Sequence, residues 1–119
     1  MQPTRVIANL SVPDIGEARS FYMDYLGLSV EGLNLGWVAR FQSPEGEAFV
    51  QLVTRDATAP YDSVISVAVG DGIEEAYEEA GRRGFEIVHP LTTEPWGLRR
   101  FLVRAPDGNV VNITSHRDG

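Results

Sequence analysis

The sequence of 119 residues contains no cysteine and only two histidines. Without cysteine the chain can form no disulfide, no thiolate metal site and no cysteine nucleophile. Basic residues are also few, since ten face seventeen acids and the net charge is −7. That balance disfavours nucleic acid as a partner and mildly favours a cationic small molecule. The alternative is that the negative charge only keeps the protein soluble.

Long apolar runs are missing as well. No stretch approaches the length of a membrane span, and the first residues lack the basic-then-apolar pattern of a secretion signal. We therefore expect a cytoplasmic protein with no membrane partner. A chain of this length is expected to form a single domain over residues 1–119 and to gain stability from dimerisation.

Two stretches carry the same turn signal. A Pro-Asp-Gly turn begins at Pro106 between two apolar runs, and a Pro-Glu-Gly turn begins at Pro44 before a similar strand. Proline presets the backbone angle of a turn, and glycine supplies left-handed geometry. The sequence therefore predicts two antiparallel hairpins.

The order of the predicted elements also repeats. A strand, a Val-x-Asp helix start and a glycine thirteen residues after the aspartate occur twice, at Asp14 and at Asp71. The pattern predicts an α+β fold of two tandem βαβββ modules, about 4–55 and about 62–116, with a cupped mixed sheet and helices on its outer face. Strands are expected at 5–12, 28–32, 37–42, 48–54, 63–69, 86–89, 98–104 and 110–115, helices at 15–26 and 73–83, and a linker at 55–62.

The two faces of the predicted strands differ in chemistry, because side chains alternate along a strand. One face is aliphatic and should pack on the helices, and the other mixes polar with apolar residues. A buried unpaired amide costs roughly 1–3 kcal/mol, so the mixed face suits a wet concave surface that holds a ligand, or a solvated sheet face. The aliphatic set is Val6-Ala8-Leu10, Val50-Leu52, Ile65-Val67-Val69 and Val111-Ile113; the mixed set is Ile7-Asn9-Ser11, Phe49-Gln51-Val53, Val64-Ser66-Ala68 and Val110-Asn112-Thr114.

In these features the chain resembles the vicinal oxygen chelate superfamily, the glyoxalase, bleomycin-resistance and extradiol dioxygenase group, whose hallmark is paired βαβββ modules. The resemblance covers nearly the whole chain and is strongest over 12–27 and 95–109. The second segment is similar to the Pro-Trp-Gly, Phe and Arg-Asp-Pro-x-Gly-Asn pattern of bleomycin-resistance proteins, with Ala105 in place of the usual acid. The resemblance implies a homodimer with a ligand cleft at the subunit interface.

The metal-ligand positions of the superfamily map, by the same landmarks, onto four residues of this chain. They are Ile7, Gln51, Val64 and Asn112. Two aliphatic side chains cannot bind a metal, and two neutral amides would not hold a divalent transition ion without histidine or carboxylate help. We therefore expect neither a metal nor another cofactor.

The resemblance also implies which residues contact a ligand. The matching Trp of bleomycin-resistance proteins contacts the drug, which favours Trp96, although core packing is the alternative. For Trp37, ligand contact and core packing are both open. Glu31 lies where those proteins carry an acid near the drug. The hydrogen-bonding candidates are Gln51, Asn112, Asn9 and Ser66, and Phe49, Leu35 and Arg100 complete the set.

Three functions remain open. The first is a metal-free protein that sequesters an aromatic, cationic or peptidic compound, as in antibiotic or toxin immunity. The second is a metal-dependent lyase, isomerase or dioxygenase of the same superfamily, and the third is an accessory module without a small ligand. Acid–base candidates near the expected cup form no spacing that implies a catalytic role: Glu31, Tyr61, His89, Glu94 and Arg100.

Overall fold

The computed structural model describes residues 1–116 of the chain. This part is α+β, with eight strands in mixed parallel and antiparallel pairing and two α-helices. In chain order the elements are β1 (Pro3–Ser11), α1 (Ile15–Ser20), a π-helical turn (Phe21–Tyr25), β2 (Val30–Asn34), β3 (Val38–Gln42), β4 (Phe49–Val53), β5 (Ile65–Val69), α2 (Ile73–Arg82), β6 (Glu86–Thr93), β7 (Leu98–Arg104) and β8 (Val110–His116).

The chain divides into two compact units. The first unit is Ile7–Ala57, and the second unit is Met1–Val6 together with the described residues from Thr58 to His116. Strands of the first unit, which includes residues 7–11 of β1, follow the order β2-β3-β4-β1, with β1 parallel to β4 and the other pairs antiparallel. Strands of the second unit follow β5-β8-β7-β6, with β5 parallel to β8 and the other pairs antiparallel.

Both predicted hairpins are confirmed. Strands β3 and β4 pair antiparallel across the first Pro-x-Gly turn, and β7 and β8 do so across the second. Each turn is closed by a backbone hydrogen bond of 2.8 Å from its glycine, Gly46 to Ser43 and Gly108 to Ala105. Both glycines have positive φ, 77° and 95°, which a side chain would disfavour.

The helices pack on the predicted aliphatic faces. In the first unit, α1 covers Phe41, Val50 and Leu52. In the second unit, α2 covers Val69, Phe101 and Ile113, and Val67 and Val111 pack against the same cluster. The aliphatic-face prediction is therefore confirmed for β4, β5 and β8.

The prediction was wrong for β1. Val6, Ala8 and Leu10 were expected to pack on a helix, but all three are exposed, whereas Ile7 on the opposite face is buried. Neither helix covers these three residues of β1. The core clusters under α1 and α2 are formed by residues of the other strands.

The first helix is shorter than predicted. Regular α-helix ends at Ser20, and residues 21–25 form a π-helical turn. An α-helix over 15–26 would place Ile15, Ala18, Tyr22 (or Phe21) and Tyr25 or Leu26 on one stripe. Tyr22 packs on the core, but Tyr25 and Leu26 are both exposed. The wider π turn accounts for this error, because it shifts later residues around the helix axis relative to a 3.6-residue period.

Several strand boundaries also differ; β1 begins at Pro3 and β5 at Ile65, whereas starts at residues 5 and 63 were predicted. Strand β2 lies two residues later than predicted, β3 begins at Val38 so that Trp37 precedes it, and β6 continues to Thr93 through Pro90. Proline lacks the N–H that a central strand needs, but β6 ends the strand order of the second unit, where proline is tolerated. Over residues 1–116, none of the helices is long and apolar enough to cross a membrane.

Candidate functional site

A row of polar side chains crosses the first unit on the face opposite α1. Gln51 of β4 is in register with Asn9 of β1 on one side and with Arg40 of β3 on the other. The Gln51 amide donates a hydrogen bond of 2.7 Å from Nε2 to Asn9 Oδ1. All three side chains are only partly buried, so the row can be reached from solvent.

A bulge next to this row lies beside the side chains of Arg40, which belongs to the row, and of Gln42, which does not. The pairing of β2 with β3 shifts register between Glu31 and Leu33, at Gly32. A Cβ at position 32 would lie 2.6 Å from Gln42 Oε1 and 3.4 Å from Arg40 Nε. A side chain at position 32 would therefore require the Gln42 amide, the end of a flexible side chain, to move.

The second unit contains the equivalent amide pair, but in a different environment. Asn112 of β8 is in register with Ser66 of β5, and its Nδ2 donates a hydrogen bond of 3.1 Å to Ser66 Oγ. Both residues are 7% exposed, and Asn112 Oδ1 is buried without a hydrogen-bonding partner among the described residues. The expectation of a wet surface was wrong for this pair, because other side chains exclude solvent from it.

Trp96 lies in the turn between β6 and β7, as predicted. Backbone hydrogen bonds from Gly97 to Glu94 and from Glu94 to Leu98, 2.9 and 2.7 Å long, close this turn. The Trp96 ring is partly buried, and the Arg100 guanidinium carbon lies 5.4 Å from its centroid. Such a cation–π contact holds the ring in place while part of its surface stays accessible.

Arg100 belongs to a buried polar cluster of the second unit. Its Nε donates to Glu94 Oε2 at 2.6 Å, and its Nη2 donates to the Thr58 hydroxyl at 2.7 Å. Thr58 in turn donates to Glu94 Oε2 at 2.8 Å, and His89 Nε2 lies 3.1 Å from the same oxygen. Arg100 and Glu94 are 2% and 4% exposed, so this is an ion pair inside the protein.

The cluster stabilises the charged form of Glu94. Burial by itself would raise the pKa of this carboxyl, but hydrogen bonds from Arg100 and Thr58 outweigh it, assisted by the charges of Arg100 and His89. The pKa of Glu94 is therefore held below its usual value of 4.5. A carboxylate with a low pKa is a weak base, so Glu94 is better suited to holding Arg100 than to removing a proton from a substrate.

This shift predicts how stability depends on pH. Because the pKa of Glu94 is lower in the folded than in the unfolded chain, its contribution is fully present above about pH 4.5 and is lost as the pH falls through the folded value. Urea unfolding from about pH 6 to pH 3 should show this loss. The slope should be smaller in the Glu94→Gln variant; an unchanged slope would contradict the assignment.

The remaining predicted site residues of the first unit lie in three places. Leu35 and Trp37 are in the turn between β2 and β3, and both are partly buried. A hydrogen bond of 2.9 Å from Leu35 N to Val38 O closes this turn, so Trp37 lies in the turn and not in the strand that was predicted at 37–42. Phe49 is partly buried at the start of β4, on the same face as Gln51.

Glu31 has a structural partner on each oxygen. Arg19 of α1 donates to Oε1 at 2.8 and 3.1 Å, and Asn34 donates to Oε2 at 3.1 Å. The hydrogen bond from Asn34, followed by that from Arg19, lowers the pKa of Glu31. A cationic ligand at Glu31 would have to compete with Arg19.

Two residues of these clusters were missed from the sequence. Thr58 lies in the segment interpreted as a linker, 36 residues from Glu94, and no local pattern marks it. Arg40 could have been found, because it shares the face of β3 that is in register with Gln51.

All ten basic residues of the chain are arginines, so no lysine is present to form a Schiff base or to act as a general base.

The residues at the superfamily's metal-ligand positions do not fit a transition metal. Ile7 and Val64 offer no donor atom, and the amides of Gln51 and Asn112 are each hydrogen-bonded to a neighbouring strand. Within residues 1–116 no three histidine or carboxylate side chains lie close enough together to hold an ion. Neutral amide oxygens alone bind such ions weakly.

The fold is shared with solved structures of diverse description. A glyoxalase/bleomycin resistance protein/dioxygenase superfamily member from Vibrio splendidus is 21% identical, covers 93% of this chain and 97% of its own, and has a TM-score of 0.68. Methylmalonyl-CoA epimerase from Mycobacterium tuberculosis is 18% identical, with 98% and 90% covered and a TM-score of 0.71. A protein described as an NAD-dependent benzaldehyde dehydrogenase from Legionella pneumophila is 15% identical, with 95% and 100% covered and a TM-score of 0.73.

At these identities the likeness concerns the fold alone, and one fold supports many activities. A search of curated protein sequences gave no match. The sequence model of the Glyoxalase/Bleomycin resistance protein/Dioxygenase superfamily, in contrast, matches residues 5–113, nearly the whole chain. The chain therefore belongs to the Glyoxalase/Bleomycin resistance protein/Dioxygenase superfamily.

Proposed function

We propose that this protein binds a small organic molecule without a metal, as a sequestering protein and not as an enzyme. The observation that carries the proposal is the accessible polar row of Asn9, Gln51 and Arg40, in which an amide stands where metal-dependent relatives have a ligand. Amide and guanidinium groups recognise a ligand by hydrogen bonds and need no ion to do so.

The chemistry of the row indicates the class of ligand. Asn9 and Gln51 both donate and accept, and Phe49 on the same face of β4 adds an aromatic surface. A planar or peptidic compound with amide or amine groups matches these donors, acceptors and apolar area. The net charge of −7 favours a cationic compound among these, with its positive group placed away from the Arg40 guanidinium.

Two measurements test the absence of a metal role. The purified protein is expected to contain no stoichiometric transition metal by elemental analysis, and added nickel, zinc, iron or manganese should not change ligand affinity. Metal-free bleomycin and proflavine serve as probes, with tryptophan fluorescence as the readout. A stoichiometric metal, or quenching that requires one, would overturn the proposal.

Trp96→Ala tests the ligand contact that the resemblance implies for this ring, separately from the polar row. It is expected to weaken probe binding by about tenfold or more, because an aromatic stack adds roughly 0.5–1.5 kcal/mol beyond the area it buries. The melting temperature should change little, since the ring is only partly buried. Binding to this variant is followed by calorimetry. Trp37→Ala is the matched variant, and comparing the two shows which indole contacts the probe. A large fall in the melting temperature of Trp96→Ala would instead identify Trp96 as a core residue.

The Gln51→Ala variant tests the polar row directly. It should weaken probe binding without any change in metal content, whereas Ser29→Ala, at an exposed residue outside the row, should bind as the wild type does.

The homodimer predicted from the resemblance is part of the same proposal. Light scattering coupled to size exclusion measures it.

A further inference from the structure

The helix side of the second unit contains two cavities that the proposed function does not use. One, of about 410 Å³, lies between residues 1–4 and the start of α2. The other, of about 250 Å³, lies under the end of α2 and reaches Phe85, Phe101 and Ile113. Met1, Ala76 and Glu79 line both, so the two cavities form one groove along α2.

Small residues of α2 create this groove. The buried face of the helix consists of Ile73, Ala76 and Ala80, and the two alanines line the cavities. Methyl groups leave space that leucine at the same positions would fill. The ten-residue helix is about 15 Å long, which sets the length of an occupant.

The two ends of the groove differ in chemistry. The far end is lined by Ala80, Phe85, Phe101, Val103 and Ile113, with the ion-paired Arg83 at its rim. The near end is lined by Asp71 and Glu75, which have no ion pair among the described residues. These two carboxylates place negative charge at this end of the groove, beside the positive end of the α2 dipole.

We propose that this groove binds an amphiphilic cation, a protonated amine with one aliphatic chain. The chain would lie along Ala76 and Ala80 at the apolar end, and the ammonium would lie between Asp71 and Glu75. Charge complementarity selects this occupant, since a fatty acid would place a carboxylate beside two others. The proposal is independent of the polar row and of Trp96.

The test uses decylamine as the probe, with decanol and decanoate as its neutral and anionic counterparts. Decylamine is expected to give saturable shifts of the methyl NMR signals of Ala76, Ala80 and Ile113, and the signals of Ala39 and Val50 should stay unchanged. Decanoate should bind at least about tenfold more weakly. Equal binding of all three probes, or shifts spread over both units, would overturn the proposal.

Variants separate the two ends of the groove. The double variant Asp71→Asn/Glu75→Gln should lower decylamine affinity about tenfold and leave decanol affinity unchanged, the result of losing two partly exposed ion pairs. Glu78→Gln, on the exposed face of the same helix, is the control and should have no effect. Ala80→Leu should abolish binding of decylamine, and its melting temperature shows whether the variant is folded. Two results would overturn the proposal: decylamine binding that persists in folded Ala80→Leu, or unchanged decylamine affinity in the double variant.

Discussion

Replacing Glu94 by alanine is expected to lower the free energy of unfolding by about 3–5 kcal/mol. Arg100 is 2% exposed and would keep its charge, because arginine does not deprotonate in proteins. The variant would leave this buried guanidinium without the carboxylate at 2.6 Å and would remove the acceptor of the Thr58 hydroxyl. Urea unfolding followed by circular dichroism measures the change.

A matched control lies on the same two strands. Arg104 and Glu86 also pair between β7 and β6, at 3.2 Å, but their side chains are 31% and 62% exposed. Exposed ion pairs contribute about 0–1 kcal/mol, so Glu86→Ala should have a small effect. Equal effects of Glu94→Ala and Glu86→Ala would show that burial of the cluster does not determine its energy.

A double variant separates the net contribution of the pair from the cost of breaking it. Arg100→Met removes the buried charge, and Glu94→Leu/Arg100→Met replaces both partners by apolar groups. Buried ion pairs replaced in this way are often tolerated, so the double variant should be more stable than Glu94→Ala. If the double variant instead loses as much free energy of unfolding as the two single variants combined, the cluster contributes through hydrogen bonds with other groups.

The sequence predicted elements best where local pattern and tertiary burial agree. Strand β7 has the predicted bounds, because Phe101 and Val103 alternate toward α2 while Arg100 and Leu102 point the other way. Both hairpins follow from turn chemistry, which acts over four residues. The N-cap was also local: Asp14 accepts a hydrogen bond of 3.0 Å from Glu17 N, at the start of α1.

Other features depend on contacts that sequence spacing does not encode. The aliphatic residues of β1 alternate correctly, but whether a helix covers them depends on where α1 and α2 lie. The π-helical turn shifts Tyr25 away from the stripe, and no residue pattern indicated it. The cluster around Glu94 joins Thr58 to Arg100, 42 positions apart, so its existence could not be inferred from either segment.

The two amide pairs show the same distinction within the candidate site. Gln51 and Asn112 were predicted at equivalent positions of a repeat, and they are hydrogen-bonded to Asn9 of β1 and Ser66 of β5, respectively. Their exposure differs, since Gln51 is partly buried and Asn112 is 7% exposed. Equivalent positions therefore need not have equivalent roles, and this is why the proposed function is assigned to the row in the first unit.

Phe41→Ala is the second substitution with a large expected effect, again a loss of about 3–5 kcal/mol in the free energy of unfolding. The ring is fully buried beneath α1, where it packs with Ile15 and Leu52, and the Arg19 guanidinium carbon lies 5.8 Å from its centroid. Alanine would leave a cavity and remove this cation–π contact. Thermal and urea unfolding measure the loss.

The consequence for function follows from the position of Phe41 in β3. Its neighbour Arg40 projects to the opposite face and belongs to the polar row, so the anchored ring fixes the strand that presents the row. Probe affinity should therefore fall in Phe41→Ala even at temperatures where the variant is fully folded. Phe21→Ala removes an aromatic ring that is 52% exposed in the same unit, and should change neither stability nor affinity by more than about 1 kcal/mol. Unchanged affinity in folded Phe41→Ala would show that the row does not depend on the packing behind it.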